Sequence, residues 1–307
     1  MSENEQLLIV DRPSPAVESR RLGSVVIPAH NEAAVIGRCL NALFDGAEPG
    51  QLDVVVVCNG CRDATAEVAR SSGHPIQVIE LATASKAAAL RAGDAVARTF
   101  PRLYLDADVV LPGESARRVL EHLAAGAVAA RPPIRYEIDR ASVLVRCYYR
   151  ARSRIPAVLH SLWGAGVYGV SAAGRRRFDV FPDLGADDLW IDSQFDTAEI
   201  DIVACDPVSV AVPRRSRDLF RTLRRTYRGK EETLGSAASV QRSRATTLRA
   251  IGDLARLCIR SPTLGLDAAI YAMFAIGARI LFAVAKTAPA PRGIVWERDE
   301  TSRLDVA

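Results

Sequence analysis

Ser24-Val25-Val26-Ile27-Pro28-Ala29-His30-Asn31-Glu32 reads as a short apolar strand, 24–28, that runs directly into polar residues. Downstream the same alternation repeats: short apolar runs at 52–57, 76–81, 102–105 and 127–130 are separated by Ala- and Leu-rich stretches with helical spacing at 32–43, 64–71, 86–99 and 114–123. Repeated β-α units of this kind predict a mostly parallel sheet flanked by helices. Beyond it the spacing predicts one long helix over 141–162, a strand over 167–171, a helix over 188–198 and strand material over 200–212 broken at Pro207. From residue 218 onward helical periodicity dominates, so a C-terminal helical region is expected.

With 307 residues the chain can bury a substantial core. Its 49% hydrophobic and 25% charged residues, with a mean hydropathy of +0.07, are ordinary for a folded protein and exclude wholesale disorder. The expected organisation is a flexible tail at 1–21, an α/β domain at 22–230, a helical region at 231–288 and a second tail at 289–307. Six scattered cysteines are too sparse for a disulfide framework, and the first residues lack the apolar core of a signal peptide, so a cytoplasmic protein is expected, at or away from the inner face of a membrane.

In open parallel sheets ligands bind beyond the carboxyl ends of strands. Three polar segments would sit there: Pro28-Ala29-His30-Asn31-Glu32, Asn59-Gly60-Cys61-Arg62-Asp63-Ala64-Thr65 and Asp106-Ala107-Asp108. Two carboxylates one residue apart at a strand end can converge on a hard cation that also holds a diphosphate. The plain alternative is an acidic turn of the sort common where strands end.

These segments, with Ser85-Lys86-Ala87-Ala88-Ala89-Leu90 and Gly185-Ala186-Asp187-Asp188-Leu189-Trp190, occur in an order and spacing that resembles the inverting family 2 glycosyltransferases of the GT-A fold, over roughly 22–230. The resemblance implies a nucleoside diphosphate sugar donor, a hydroxyl-bearing acceptor and a divalent metal, Mn2+ or Mg2+. It implies that Pro28 and Glu32 contact the nucleoside, with His30 beside them, that Asn59 and Asp63 lie at the base-binding edge, and that Lys86 sits near the donor. Asp106 would face the ribose and donor sugar and share the metal with Asp108. Asp187 and Asp188 match the family's acidic pair, so Asp188 is expected to act as the base and Asp187 to support it. Many relatives carry Asp where this chain has Asn59, which offers both a donor and an acceptor and leaves the base open.

The net charge of +4 and pI near 8.8 suit phosphate-bearing ligands, anionic lipid or nucleic acid alike. Arginines crowd 214–228; Arg225 and Arg228 could close over a donor, or the cluster could be a solvated helix face. Nucleic acid is not expected, because aromatics are only 6% of the chain. The apolar stretch 264–285 carries Asp267 and Arg279 and so falls short of a clean spanning helix. A buried helix, a dimer contact, or a helix resting on a membrane that carries a lipid-linked acceptor would each fit.

Gly164-Ala165-Gly166-Val167-Tyr168-Gly169 matches the dinucleotide fingerprint, but its flanks have the wrong order of helix and strand. Cys58 and Cys61 form a Cys-x-x-Cys pair with no second pair to complete a zinc site. Two rival functions remain: a non-catalytic nucleotide-sugar-binding protein on the same fold, and a nucleotidyltransferase, against which the absence of glycine from Pro28 to Glu32 speaks.

Overall fold

The computed structural model describes residues 21–48, 50–184, 187–233, 252 and 262–286. The segments 1–20, 234–251 and 287–307, and Gly185-Ala186 of the acidic motif, lie outside the described residues. The described residues fall into two compact units: those within 1–133, 162–183 and 194–208 form one, and those within 134–161, 184–193 and 209–307 the other.

The first unit is built on β1 (Gly23–Ala29), α1 (Ile36–Phe44), β2 (Leu52–Asn59), α2 (Thr65–Arg70), β3 (Ile76–Leu81), α3 (Lys86–Val96), β4 (Arg102–Leu105), α4 (Gly113–Ala124) and β5 (Ala129–Arg131). To these are added β7 (Val167–Val170), α7 (Ala172–Arg175) and β8 (Ile200–Ile202). The strands form one seven-stranded sheet in the order β3-β2-β1-β4-β7-β5-β8. β1 pairs parallel with β2 and β4, and β2 with β3, whereas β7 runs antiparallel to both β4 and β5. The expectation of a mostly parallel sheet between helices therefore holds.

The valine runs of β1 and β2 are buried along their whole length, which is why they read as continuous apolar segments and not as alternating ones. Burying each such side chain contributes roughly 1.5–3 kcal/mol. On the far side of β1, a buried polar knot braces the sheet. Asp94 at the end of α3 accepts hydrogen bonds from the Tyr104 hydroxyl at 2.6 Å and from Arg175 Nε at 2.9 Å, and pairs with Arg102. Burial pushes the Asp94 carboxyl up, but these donors outweigh it and hold it below the usual carboxylate range.

The second unit comprises β6 (Ile134–Glu137), α5 (Val143–Arg152), α6 (Pro156–Leu159), α8 (Asp187–Asp192), β9 (Val208–Ala211), α9 (Ser216–Thr233) and α10 (Pro262–Lys286). β6 and β9 form a two-stranded ribbon. Its core gathers Val145, Tyr148 and Tyr149 of α5, Leu219 and Leu223 of α9, and Phe274 and Ala278 of α10. Tyr148 stacks on Tyr271 with centroids 4.8 Å apart, and Phe220 tilts against Phe274 at 4.8 Å.

The two helices expected over 141–162 and 188–198 are much shorter than their spacing suggests. The helix expected over 141–162 ends at Arg152, because Ile155 precedes Pro156 and takes an extended conformation, φ −90°, ψ 110°, before α6 restarts on that proline. The helix expected over 188–198 stops at Asp192, and a 3-10 turn at Thr197–Glu199 follows, fixed by a capping box between Asp196 and Glu199. β6 lies in a segment to which the sequence assigned no element.

Candidate functional site

The carboxyl ends of β1, β2 and β4 project their loops to one edge of the sheet of the first unit, as parallel pairing requires. Pro28 is buried in β1, and the chain turns outward at Asn31, whose φ of +52° lies in the left-handed region that asparagine tolerates better than most residues. Asn31 Oδ1 accepts a hydrogen bond from the Arg62 backbone N–H at 2.6 Å, so the β1 and β2 loops are sewn together. His30 is fixed in the same seam through Nδ1 and the Asn59 carbonyl.

Asp63 supplies the next stitch. Its Oδ2 accepts from the Ala33 N–H at 3.2 Å, and its Oδ1 from the Thr65 N–H at 3.1 Å and from the Thr65 hydroxyl. Thr65 Oγ1 in turn accepts from the Glu32 N–H at 2.7 Å. Burial pushes the Asp63 carboxyl up, yet these hydrogen bonds prevail and hold it below the usual range. Thr65 is fully buried and is the positioning residue that the sequence reading quoted without a role. The Asp-x-Thr spacing, an Asx turn at a helix start, is the signal that could have found it.

Asn59 is only 2% exposed, and both ends of its amide are engaged. Nδ2 donates to the Ala29 carbonyl at 2.8 Å, while Oδ1 accepts from the Ser85 N–H at 3.1 Å. Ser85 then caps α3 by accepting from the Ala88 N–H at 3.1 Å. Gly60 allows this convergence: its φ is +57°, and a Cβ there would lie 2.5 Å from the Ala84 nitrogen. A side chain at 60 would push the loop before α3 away.

α3 opens with Lys86, whose Nζ lies 2.7 Å from Asp106 Oδ1. Asp106 is half-buried and Asp108 exposed at the end of β4. The turn that presents them is tied down by the Asp106 N–H, which donates to the Gly166 carbonyl at 2.8 Å, and by the Val109 N–H, which donates to the Asp106 carbonyl at 3.1 Å. Gly166 has φ +65°, and a Cβ at this position would lie 2.4 Å from Val109 Cγ2. Gly164 and Gly166 thus precede the strand β7, Gly169 lies within it, and Gly166 braces the acidic turn, the opposite order from a dinucleotide-binding strand and helix.

Among the described residues no three His, Cys, Asp or Glu side chains converge as a protein-only metal cage. Two neighbouring carboxylates at a strand end nevertheless fit a hard cation that takes its other ligands from phosphate and water. Asp187 and Asp188 occupy the first turn of α8 in the second unit, where the helix dipole favours acidic groups, and Asp188 Oδ1 accepts from the Leu189 N–H at 2.8 Å. Arg225 and Arg228 lie on the exposed side of α9 in the same unit. Cys58 is buried, which pushes its thiol up to about 12, and the Cys61 thiol donates to the Ala29 carbonyl at 3.5 Å. Both are free thiols held as strand-end and turn residues.

Residues 24–180, about half of the chain, match the model of glycosyl transferase family 2. Glycosyltransferase AglE of Haloferax volcanii is 48% identical over 59 residues, 19% of each chain, so the match spans about a fifth of that curated relative. The mannosyltransferase PcManGT from Pyrobaculum calidifontis, solved with GDP-Man and Mn2+, superposes with a TM-score of 0.60 at 19% identity, over 86% of this chain and 87% of that one. It shares with this chain the GT-A fold. Glucosyl-3-phosphoglycerate synthase from Mycobacterium tuberculosis, solved with Mn2+, UDP and glucosyl-3-phosphoglycerate, aligns more loosely, at 20% identity and a TM-score of 0.45 over 66% of this chain and 77% of that one.

Proposed function

Because the chain belongs to glycosyltransferase family 2, we propose that it moves a sugar from a nucleoside diphosphate donor to an acceptor hydroxyl with inversion at the anomeric carbon. The observation that carries this reading is the clustering of Lys86 with Asp106, next to Asp108, at the carboxyl edge of the sheet. Family membership supplies the reaction class; the cluster supplies the means of holding a diphosphate.

Asp108 and Asp106 would hold a divalent cation, Mn2+ or Mg2+, which offsets the negative charge of the diphosphate as it leaves. Lys86 steadies the Asp106 carboxylate and brings a positive charge to the same place. Pro28, His30 and Glu32 form the wall toward the nucleoside. Asn59 and Asp63 contribute by bracing the loops that make that wall, since their side chains are engaged with backbone groups. In the second unit, Asp188 takes the proton from the attacking hydroxyl, with Asp187 as its support. Arg225 and Arg228 are the candidates to meet charge on the departing diphosphate.

Calorimetry with a panel of nucleoside diphosphate sugars, with and without Mn2+, tests the reading. One donor should bind with Mn2+ and lose most of its affinity without it, and the Asp108→Ala variant should bind equally weakly in both conditions. NMR of the product formed with that donor should show the inverted anomer. Equal wild-type affinity with and without Mn2+, or a retained anomeric configuration, would overturn it.

A further inference from the structure

α10 carries a 21-residue stretch, Leu264–Val284, apolar and long enough to cross a membrane by composition alone, yet only 22% buried. Of the two charges that interrupt it, Asp267 turns inward, whereas Arg279 is exposed and leans toward α9. Asp267 is buried and receives Arg150 of α5 through two hydrogen bonds, at 2.8 Å to Oδ2 and 2.6 Å to Oδ1. The Arg279 guanidinium sits over the Tyr227 ring of α9. Beside Arg279 the helix presents an outward row of uncharged, apolar side chains. Leu266, Met273, Ile276, Ile280 and Val284 recur at spacings of three, four and seven and are between 49% and 62% exposed.

The surroundings of this face are strongly basic. α5, α9 and α10 together carry eleven Lys and Arg against four Asp and Glu, a net charge of +7. The whole chain has only +4, so the rest is net acidic. Arg217, Arg221 and Arg224 line the side of α9 next to its contact with α10, where Phe220 meets Phe274. Asp218 offsets part of this charge by pairing with Arg217 and Arg221, and a surplus persists.

We infer that the outward face of α10 is a docking surface for an anionic lipid bilayer, on which the helix lies in the plane of the interface. An uncharged face beside a positively charged helix matches the two forces that hold such helices, burial of apolar side chains and attraction to acidic headgroups. The opposite face of α10 fixes the mode: spanning would carry the Arg150–Asp267 pair and the arginines of α5 into hydrocarbon, at a high cost in desolvation. A second copy of the chain is disfavoured by the same charge, because two such surfaces repel.

The test is flotation of the full-length chain with vesicles of pure phosphatidylcholine or of equal parts phosphatidylcholine and phosphatidylglycerol, at low and high salt. The wild type should float with the anionic vesicles, by about tenfold more than with neutral ones, and high salt should erase the difference. Ile276→Glu/Ile280→Glu should lower partitioning roughly a hundredfold while melting at the wild-type temperature. Should that variant fail to fold, Met273→Gln repeats the test at a milder change, and the wild-type comparison stands by itself.

A wild type that floats with neither composition would overturn the inference, as would a folded double variant that floats like the wild type. A wild-type dimer that does not float and that the double variant splits would make the face a chain-to-chain contact instead. Donor binding by calorimetry reads the first unit independently, so a wild type that binds donor but floats with neither vesicle refutes the docking surface and leaves the proposed transfer standing.

Discussion

The Lys86 ammonium lies 2.7 Å from Oδ1 of Asp106, and this pair joins the start of α3 to the end of β4. The cation that the acidic turn is proposed to hold must share Asp106 with an internal positive charge. Lys86→Met removes the competitor. In the absence of nucleotide, a Mn2+ titration of the variant should show tighter metal binding than the wild type. Affinity for the nucleoside diphosphate should fall about tenfold, the worth of one charge-assisted hydrogen bond. Superimposable isotherms for variant and wild type would show that Lys86 acts on neither.

Asp188→Asn preserves the shape of the first turn of α8 and removes the proton acceptor. Turnover should drop about a thousandfold with donor affinity and melting temperature unchanged. Wild-type turnover in this variant would remove Asp188 from the chemistry.

Asn59→Asp would place a carboxylate oxygen against the Ala29 carbonyl, where the amide now donates at 2.8 Å. The acceptor toward the Ser85 N–H is kept, so the loss isolates one buried contact. Urea melts at neutral pH should show a destabilisation of about 2 kcal/mol. The deficit should shrink in mildly acidic buffer, because a protonated carboxyl can donate as the amide did. A pH-independent loss would point to a packing fault instead.

Asp94 gives the fold an acid limit. Its folded-state carboxyl is held below the usual range, with Tyr104, Arg175 and Arg102 outweighing burial. Its stabilisation is therefore complete above the unfolded value, about 3.9, and is lost as pH falls through the lower folded value. Asp94→Asn should cost about 3 kcal/mol at pH near 7, by disrupting a buried charge network. The gap between wild type and variant in urea midpoints should narrow below pH of about 4. Parallel curves down to strongly acidic pH would refute the linkage.

Strands β3 and β4 begin in the structure where the sequence says they begin, because Pro75 and Pro101 mark their starts and apolar runs carry them. The acidic turn was legible for a related reason: a strand end followed by Asp-x-Asp exposes its own position. α5 was misread because the apolar spacing continues past the point where the backbone cannot. Pro156 held the cue, since a proline inside a helical pattern ends the helix at the residue before it. The engagement of the Asn59 amide was out of reach, because it depends on how closely the loop before α3 approaches β2, a distance no local pattern encodes. The Lys86–Asp106 pair likewise joins side chains from separate β-α units, and only the assembled sheet brings them together.

The chain passes between its two units several times, and Phe274, near its far end, finishes a core begun by Val145 in its middle. A protein ended at residue 230 would thus keep every segment named for donor chemistry and still leave Tyr148 facing water. Shortening this protein to its recognisable motifs would strip α9, which bears Arg225, of the α10 side chains it packs against, so the proposed chemistry depends on α10 as well as on the acidic turn.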